Sequence, residues 1–159
     1  MKRFSILLFF CCFLGCKAHD SKEEDLKASA LKLQSYQTYV FDNPFEKNVL
    51  HALVLVLEQE GYEIKNIHYD LGFINAQKPM ATVQLTSQEK APTKLEMTAN
   101  IYKENNQTKV KVNFITKTFD TQGIVKSLDI ITDQELYEHL FFKIRKKISQ
   151  AKDRNISKS

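Results

Sequence analysis

The sequence predicts an α+β domain in which a mostly antiparallel sheet carries two helices packed on one face. Three observations lead there. Phe45, Val49, Leu50, Leu53, Val56 and Leu57 recur at helical spacing, as do Leu136, Tyr137, Leu140, Phe141, Ile144 and Ile148 near the end of the chain. Residues 93–103 and 108–119 each alternate apolar with polar side chains, and Glu104-Asn105-Asn106-Gln107 turns the chain between them. That alternation leaves one face of the hairpin wet, so helices are expected on the other face only.

Taken in order, the chain opens on Lys2 and Arg3, followed by an apolar run from Phe4 to Leu14 broken only by Ser5. A basic start and a short apolar run make a signal peptide, since a spanning helix needs ~20 apolar residues. The competing reading, a buried first strand or helix, does not account for the basic start. Phe13-Leu14-Gly15-Cys16 resembles the lipobox of bacterial lipoproteins, in which a small residue precedes a cysteine that is lipidated and becomes the first residue of the mature chain. Of the three cysteines only Cys16 follows a small residue. The resemblance implies cleavage between Gly15 and Cys16, acyl chains on Cys16, and a membrane attachment through them.

The expected organisation is a signal peptide over 1–15, a tether or short helix over 16–34, one α+β domain over 35–152 and a disordered tail over 153–159. Loss of residues 1–15 removes Lys2 and Arg3 from 23 basic residues, while all 19 acidic residues stay. A nearly neutral exported chain is no candidate for nucleic-acid binding. It also keeps no free thiol for a disulfide, so packing alone must stabilise it.

In the tether, Ser21-Lys22-Glu23-Glu24 matches a capping box, with Leu26, Ala30 and Leu33 on one helical face. Residues 36–41 are aromatic and β-branched and read as a first strand. A helix over 44–60 follows, capped by Asn43, begun by Pro44 and stopped by Gly61. Leu55 falls with Asn48, His51 and Glu58 opposite its core stripe, so it is an exposed candidate for partner contact, although lone exposed leucines are common. Residues 62–68 and 73–77 read as two strands around a turn in which Asp70 and Gly72 supply the chemistry. Residues 79–92 read as a long loop holding at most a weak edge strand between prolines. In the hairpin, Leu95, Met97, Ala99 and Ile101 face inward, as do Val110, Val112 and Phe114. Asp120-Thr121-Gln122-Gly123 turns into a final short strand over 124–131. Thr132-Asp133-Gln134-Glu135 then reads as a capping box opening the last helix. The basic residues near its end, Arg145, Lys146, Lys147 and Lys152, complement the helix dipole; an anionic-lipid patch is the sharper alternative. Phe142 lies off the core stripe and joins Leu55 as a candidate contact residue.

The chain offers no catalytic or metal-binding pattern. His19, His51, His68 and His139 are scattered without metal-ligand spacing, so no metal or other cofactor is expected. Neither a nucleophile elbow nor a phosphate-cradling glycine loop is present, and no carboxylate sits in an apolar run that would raise its pKa for acid–base work. No enzyme is expected.

Val40-Phe41-Asp42, Glu46-Lys47, Val49-Leu50, Val56-Leu57, Gly61-Tyr62-Glu63-Ile64 and Leu71-Gly72-Phe73-Ile74 resemble a family of uncharacterised Gram-negative bacterial lipoproteins. Val110 to Phe114, Phe119 to Gly123, Leu136-Tyr137 and Phe141-Phe142-Lys143 continue that resemblance. The order of helix, glycine, aromatic strand and Leu-Gly strand is also similar to the helix-grip modules of the C-component lipoprotein of the outer-membrane β-barrel assembly machinery, with one module in place of two. These resemblances imply a helix-grip-like domain but transfer no functional residue. Lys17 after the acylated cysteine implies the outer membrane, on its periplasmic side, by similarity to lipoprotein sorting in enteric-type cells. The expected function is that of a non-catalytic accessory or adaptor binding another envelope protein. A carrier or sensor of a small apolar, lipid-like ligand held between helix and sheet is the alternative.

Overall fold

The structure is a computed structural model that describes residues 20–42, 45–84 and 90–156, with side chains for 27–42, 45–80 and 91–151. The signal stretch 1–15, Cys16, Asn43 and Pro44 lie outside the described residues. The chain divides into two compact units, residues 1–32 and 33–159. In the first, the described chain is the helical stretch from Asp20 to Lys32, part of α1 (Asp20–Gln37). Ser21 sits inside that helix, which corrects its reading as a cap.

The second unit is α+β with an entirely antiparallel sheet among the described residues. Its elements are β1 (Thr38–Phe41), α2 (Glu46–Gln59), β2 (Glu63–His68), β3 (Phe73–Gln84), β4 (Lys90–Glu104), β5 (Gln107–Phe119), β6 (Val125–Ile130) and α3 (Gln134–Ile156). The strand order is β1-β5-β4-β3-β2, and β6 also pairs with β5. β1 meets β5 at residues 108–111 and β6 meets it at 115–119, so two strands far apart in sequence share one edge of β5.

The first predicted strand starts later than its aromatic content suggests, because α1 continues to Gln37. Tertiary contacts hold that last turn in helix. The Tyr36 hydroxyl donates to the carbonyl of Thr132 at 2.8 Å, and the buried Gln37 amide donates to the Tyr137 hydroxyl at 3.5 Å.

α2 begins with Phe45 in the capping position, without a side-chain cap, and Phe45 is 65 % exposed instead of joining the core stripe. At the other end Gly61 takes φ +79°. Its N–H donates to Glu58 at 3.1 Å while the Tyr62 N–H reaches Leu57 at 2.9 Å, closing a Schellman motif. The buried face of α2 is Val49, Leu50, Ala52, Leu53, Val56 and Leu57. Each large aliphatic side chain hidden there contributes roughly 1.5–3 kcal/mol relative to exposure.

Residues 79–84 continue β3 and pair with β4, which itself takes in residues 90–92; the edge strand expected within 79–92 is therefore present, and the long loop expected around it is corrected at these residues. Pro79 is acceptable there because β3 is paired with β2 only as far as Gln77, beyond which that side is an open edge. The β4–β5 turn matches expectation. Asn105 and Asn106 take φ 50° and 64°, a two-residue turn closing the pair Glu104 and Gln107.

Asp133, not Thr132, caps α3, its Oδ1 accepting the Glu135 N–H at 3.0 Å. The helix continues to Ile156, so the backbone from Asp153 to Ile156 is helical where a disordered tail was expected. Tyr137, Leu140, Phe141 and Ile144 of α3 join the buried α2 face and the inward residues of β3, β4 and β5 in one hydrophobic cluster.

Candidate interaction surface

The residues singled out in the sequence fare differently. Gly15 and Cys16 lie outside the described residues. Leu55 is partly buried, not exposed. Phe142 is 53 % exposed, and the Arg145 guanidinium lies 5.8 Å from its ring centroid and 5.6 Å from that of Tyr39. Leu55 and Phe142 are therefore not a matched pair of protruding apolar side chains.

A larger apolar surface was missed in the sequence. It starts at the β5–β6 turn, where Asp120 Oδ1 accepts the N–H groups of Gln122 (2.9 Å) and Ile124 (2.8 Å) and Gly123 takes φ +82°. The chain then folds back along β5 as β6. All six residues of β6 are exposed. Leu128 is opposite Lys117 and Ile130 opposite Ile115, so both point to the sheet face opposite the buried Val112 and Phe114. Between Thr118 and Phe119 the register slips by one residue, skipping Lys126 and placing Val125 opposite Phe119. Val125, Leu128 and Ile130 thus share one face with Ile115 and Phe119, even though 125 and 128 are not an even number apart. Their exposures are 45 %, 61 % and 63 %, and Ile124 at the turn is 59 % exposed. That irregular spacing was the one signal available in the sequence, and only the bulge gives it meaning.

The rest of this sheet face is mainly polar, with Val40 and Tyr102, both opposite Lys109, as further exposed apolar side chains. Asn66, Asn75, Thr98 and Asn113 stand in one cross-strand row. Asn75 donates to Glu96 at 3.1 Å, Glu96 pairs with Lys117, and the Lys94 ammonium lies 5.4 Å from the Phe119 ring centroid. The apolar corner therefore has a charged border, as an interaction patch commonly does.

Two cavities flank the helix–sheet layer. One of about 190 Å³ lies between the first turn of α2 and the β2–β3 turn, lined by Glu46, Lys47, Leu50, Tyr69, Asp70, Gly72 and Ile101. It contains neither imidazole nor thiol. The other, about 40 Å³, lies where Glu60, Tyr62, Lys78, His139 and Lys143 meet. Lys143 pairs with Glu60 and holds its carboxyl below the usual carboxylate range. Burial, aided by the charge of Glu60, pushes the Tyr62 hydroxyl up to about 12. The Lys78 ammonium lies 4.5 Å from the Tyr62 ring centroid. The centre of the layer is filled by Val49, Leu53, Leu57, Ile74, Met97 and Val112, none with exposed surface.

His51, His68 and His139 are exposed, and no group of metal-ligating side chains assembles among the described residues. Among those residues, no helix is long and apolar enough to cross a membrane. No protein-family model matches the chain, and no curated protein matches it either.

Proposed function

We propose that this chain is a non-catalytic accessory or adaptor protein of the bacterial envelope, held at the outer membrane by acyl chains on Cys16 and facing the periplasm. Its domain is helix-grip-like, with α2 and α3 on one face of the sheet and the other face open. The observation that supports the reading is the apolar corner of that open face, formed by Ile115, Phe119, Val125, Leu128 and Ile130. A contiguous exposed apolar patch rimmed by polar residues is the usual mark of a protein or membrane contact. The filled centre of the helix–sheet layer favours this reading over a carrier of small apolar ligands.

The test is affinity recovery from crosslinked membranes of the full chain beside its Phe119→Ser, Val125→Ser double variant. A second envelope protein recovered with the native chain and lost with the variant is the expected result. A correctly anchored native chain that reproducibly recovers no other protein would sink the proposal. Cys16→Ser tests the anchor separately: the product is expected in the soluble periplasm or as an uncleaved precursor, and unchanged outer-membrane residence would refute it.

A further inference from the structure

We infer that the small pocket between the end of α2, β3 and α3 is a binding site for a carboxylate, the head group of a short apolar acid. Its polar lining comes from three places: Glu60 and Tyr62 at the exit of α2, Lys78 on β3, and His139 and Lys143 on α3. Two ammonium groups and an imidazole meet a single carboxylate there, and that carboxylate is taken by Lys143. Lys78 is left over. It stands on the same face of β3 as the buried Ile74 and Ala76, opposite the buried Leu95, where a charged side chain is out of pattern. Its ammonium lies 4.5 Å from the Tyr62 ring centroid, a contact that fixes the cation and leaves its three N–H donors without an acceptor. Among the described residues no carboxylate forms an ion pair with it.

Tyr62 supplies the second argument. It is only 7 % exposed, yet among the described residues its hydroxyl has no hydrogen-bond partner, whereas a buried phenol ordinarily finds one. Held up at about 12 by burial and by Glu60, it stays protonated and remains a neutral donor. A buried donor and an unpaired cation thus line the same space. Capping of α2 does not account for these cations, because the carbonyls of Val56, Leu57 and Glu58 already receive the N–H groups of Glu60, Tyr62 and Gly61.

Size and lining select the ligand. A volume of about 40 Å³ holds roughly three water-sized groups, which suits a carboxylate and not the larger, more highly charged phosphate. Phe114, Leu136 and Leu140 complete the lining and suit a short hydrocarbon stem. The carboxylate would accept from the Lys78 ammonium and the Tyr62 hydroxyl, with the exposed His139 beside it. The site goes beyond the adaptor reading and does not depend on it, since Lys78 and Phe114 lie on the sheet face opposite the apolar corner.

The full chain in a non-ionic detergent, titrated with butyrate and followed by its amide resonances, tests the inference. Signals of residues 61, 62, 78 and 139–143 should move to a saturating end point, and sodium chloride at equal ionic strength should not move them. Lys78→Met keeps the stem and removes the charge, so it should weaken butyrate binding by about tenfold or more. Tyr62→Phe keeps the ring and should also weaken it. Glu60→Gln removes the one carboxylate of the lining and should tighten binding, which the loss of a purely structural ion pair would not do. If Lys78→Met fails to fold, Tyr62→Phe and Glu60→Gln decide. Shifts that never saturate, an equal response to chloride, tighter binding of inorganic phosphate than of butyrate, or weaker butyrate binding by Glu60→Gln would overturn the inference.

Discussion

The hydroxyl of Tyr137 is inserted into the rung where Phe114 would meet the carbonyl of Ile131. It accepts the Phe114 N–H at 3.4 Å and donates to Ile131 at 2.8 Å, while the two rings stand edge to face at 5.1 Å. One α3 side chain thereby bridges the stretch of β5 between β1 and β6. Tyr137→Phe keeps the ring and strands the buried peptide groups, at a cost of about 1–3 kcal/mol. Chemical denaturation should show that loss, and amide exchange should rise first at residues 114 and 131.

Gly72 and Ile101 set a second requirement. Gly72 takes φ +60°, its carbonyl accepts the Ile101 N–H at 2.7 Å, and a Cβ there would lie 2.0 Å from the Ile101 carbonyl oxygen. Gly72→Ala should therefore cost ~3 kcal/mol or more, as backbone must move against backbone. Gly61 has positive φ but open space around a Cβ. Gly61→Ala should cost only about 1 kcal/mol. Equal losses in thermal or urea unfolding would contradict this account.

Alkaline pH should destabilise the domain through Tyr62. Its hydroxyl is raised from 10.0 to about 12, first by burial and then by Glu60. A group with a raised folded pKa contributes stability that is complete below its unfolded pKa and lost as pH rises through the folded one. The window is therefore about pH 10 to 12, and the contribution is on the order of 2–3 kcal/mol. Tyr62→Phe should flatten that part of the stability–pH curve, with the native hydroxyl titrating late in ultraviolet absorbance.

At the start of α3, Asp133→Ala should cost about 1 kcal/mol, the usual worth of a side-chain cap. Thr132→Ala should cost much less, because Thr132 takes part through its carbonyl, which receives the Tyr36 hydroxyl. Urea midpoints of the two variants would separate the two residues; the reverse order would return the cap to Thr132.

Of the surface now proposed to matter, little was legible in advance. Helical spacing predicts exposure for both Phe142 and Leu55; Phe142 is exposed and Leu55 is partly buried, because spacing gives a direction but not what packs there. The β6 corner was invisible for a related reason. Val125-Lys126-Ser127-Leu128-Asp129-Ile130 does not alternate, and its apolar residues reach one face only through a bulge against Phe119.

The sequence by itself determined what depends on neighbours along the chain. The two-residue period of the β4–β5 hairpin, the Asn105-Asn106 turn, the stop at Gly61 and the core stripes of α2 and α3 are local preferences of backbone and side chain. The tertiary structure decided which apolar residues were left out of the core. Tyr36 is helical because Thr132 and Tyr137 receive its last turn, and residues 79–84 are strand because β4 extends to meet them. β6 is an exposed edge because it shares one side of β5 with β1. Edges and vacancies in a sheet are set by the order in which distant strands pair, and no window of sequence contains that order.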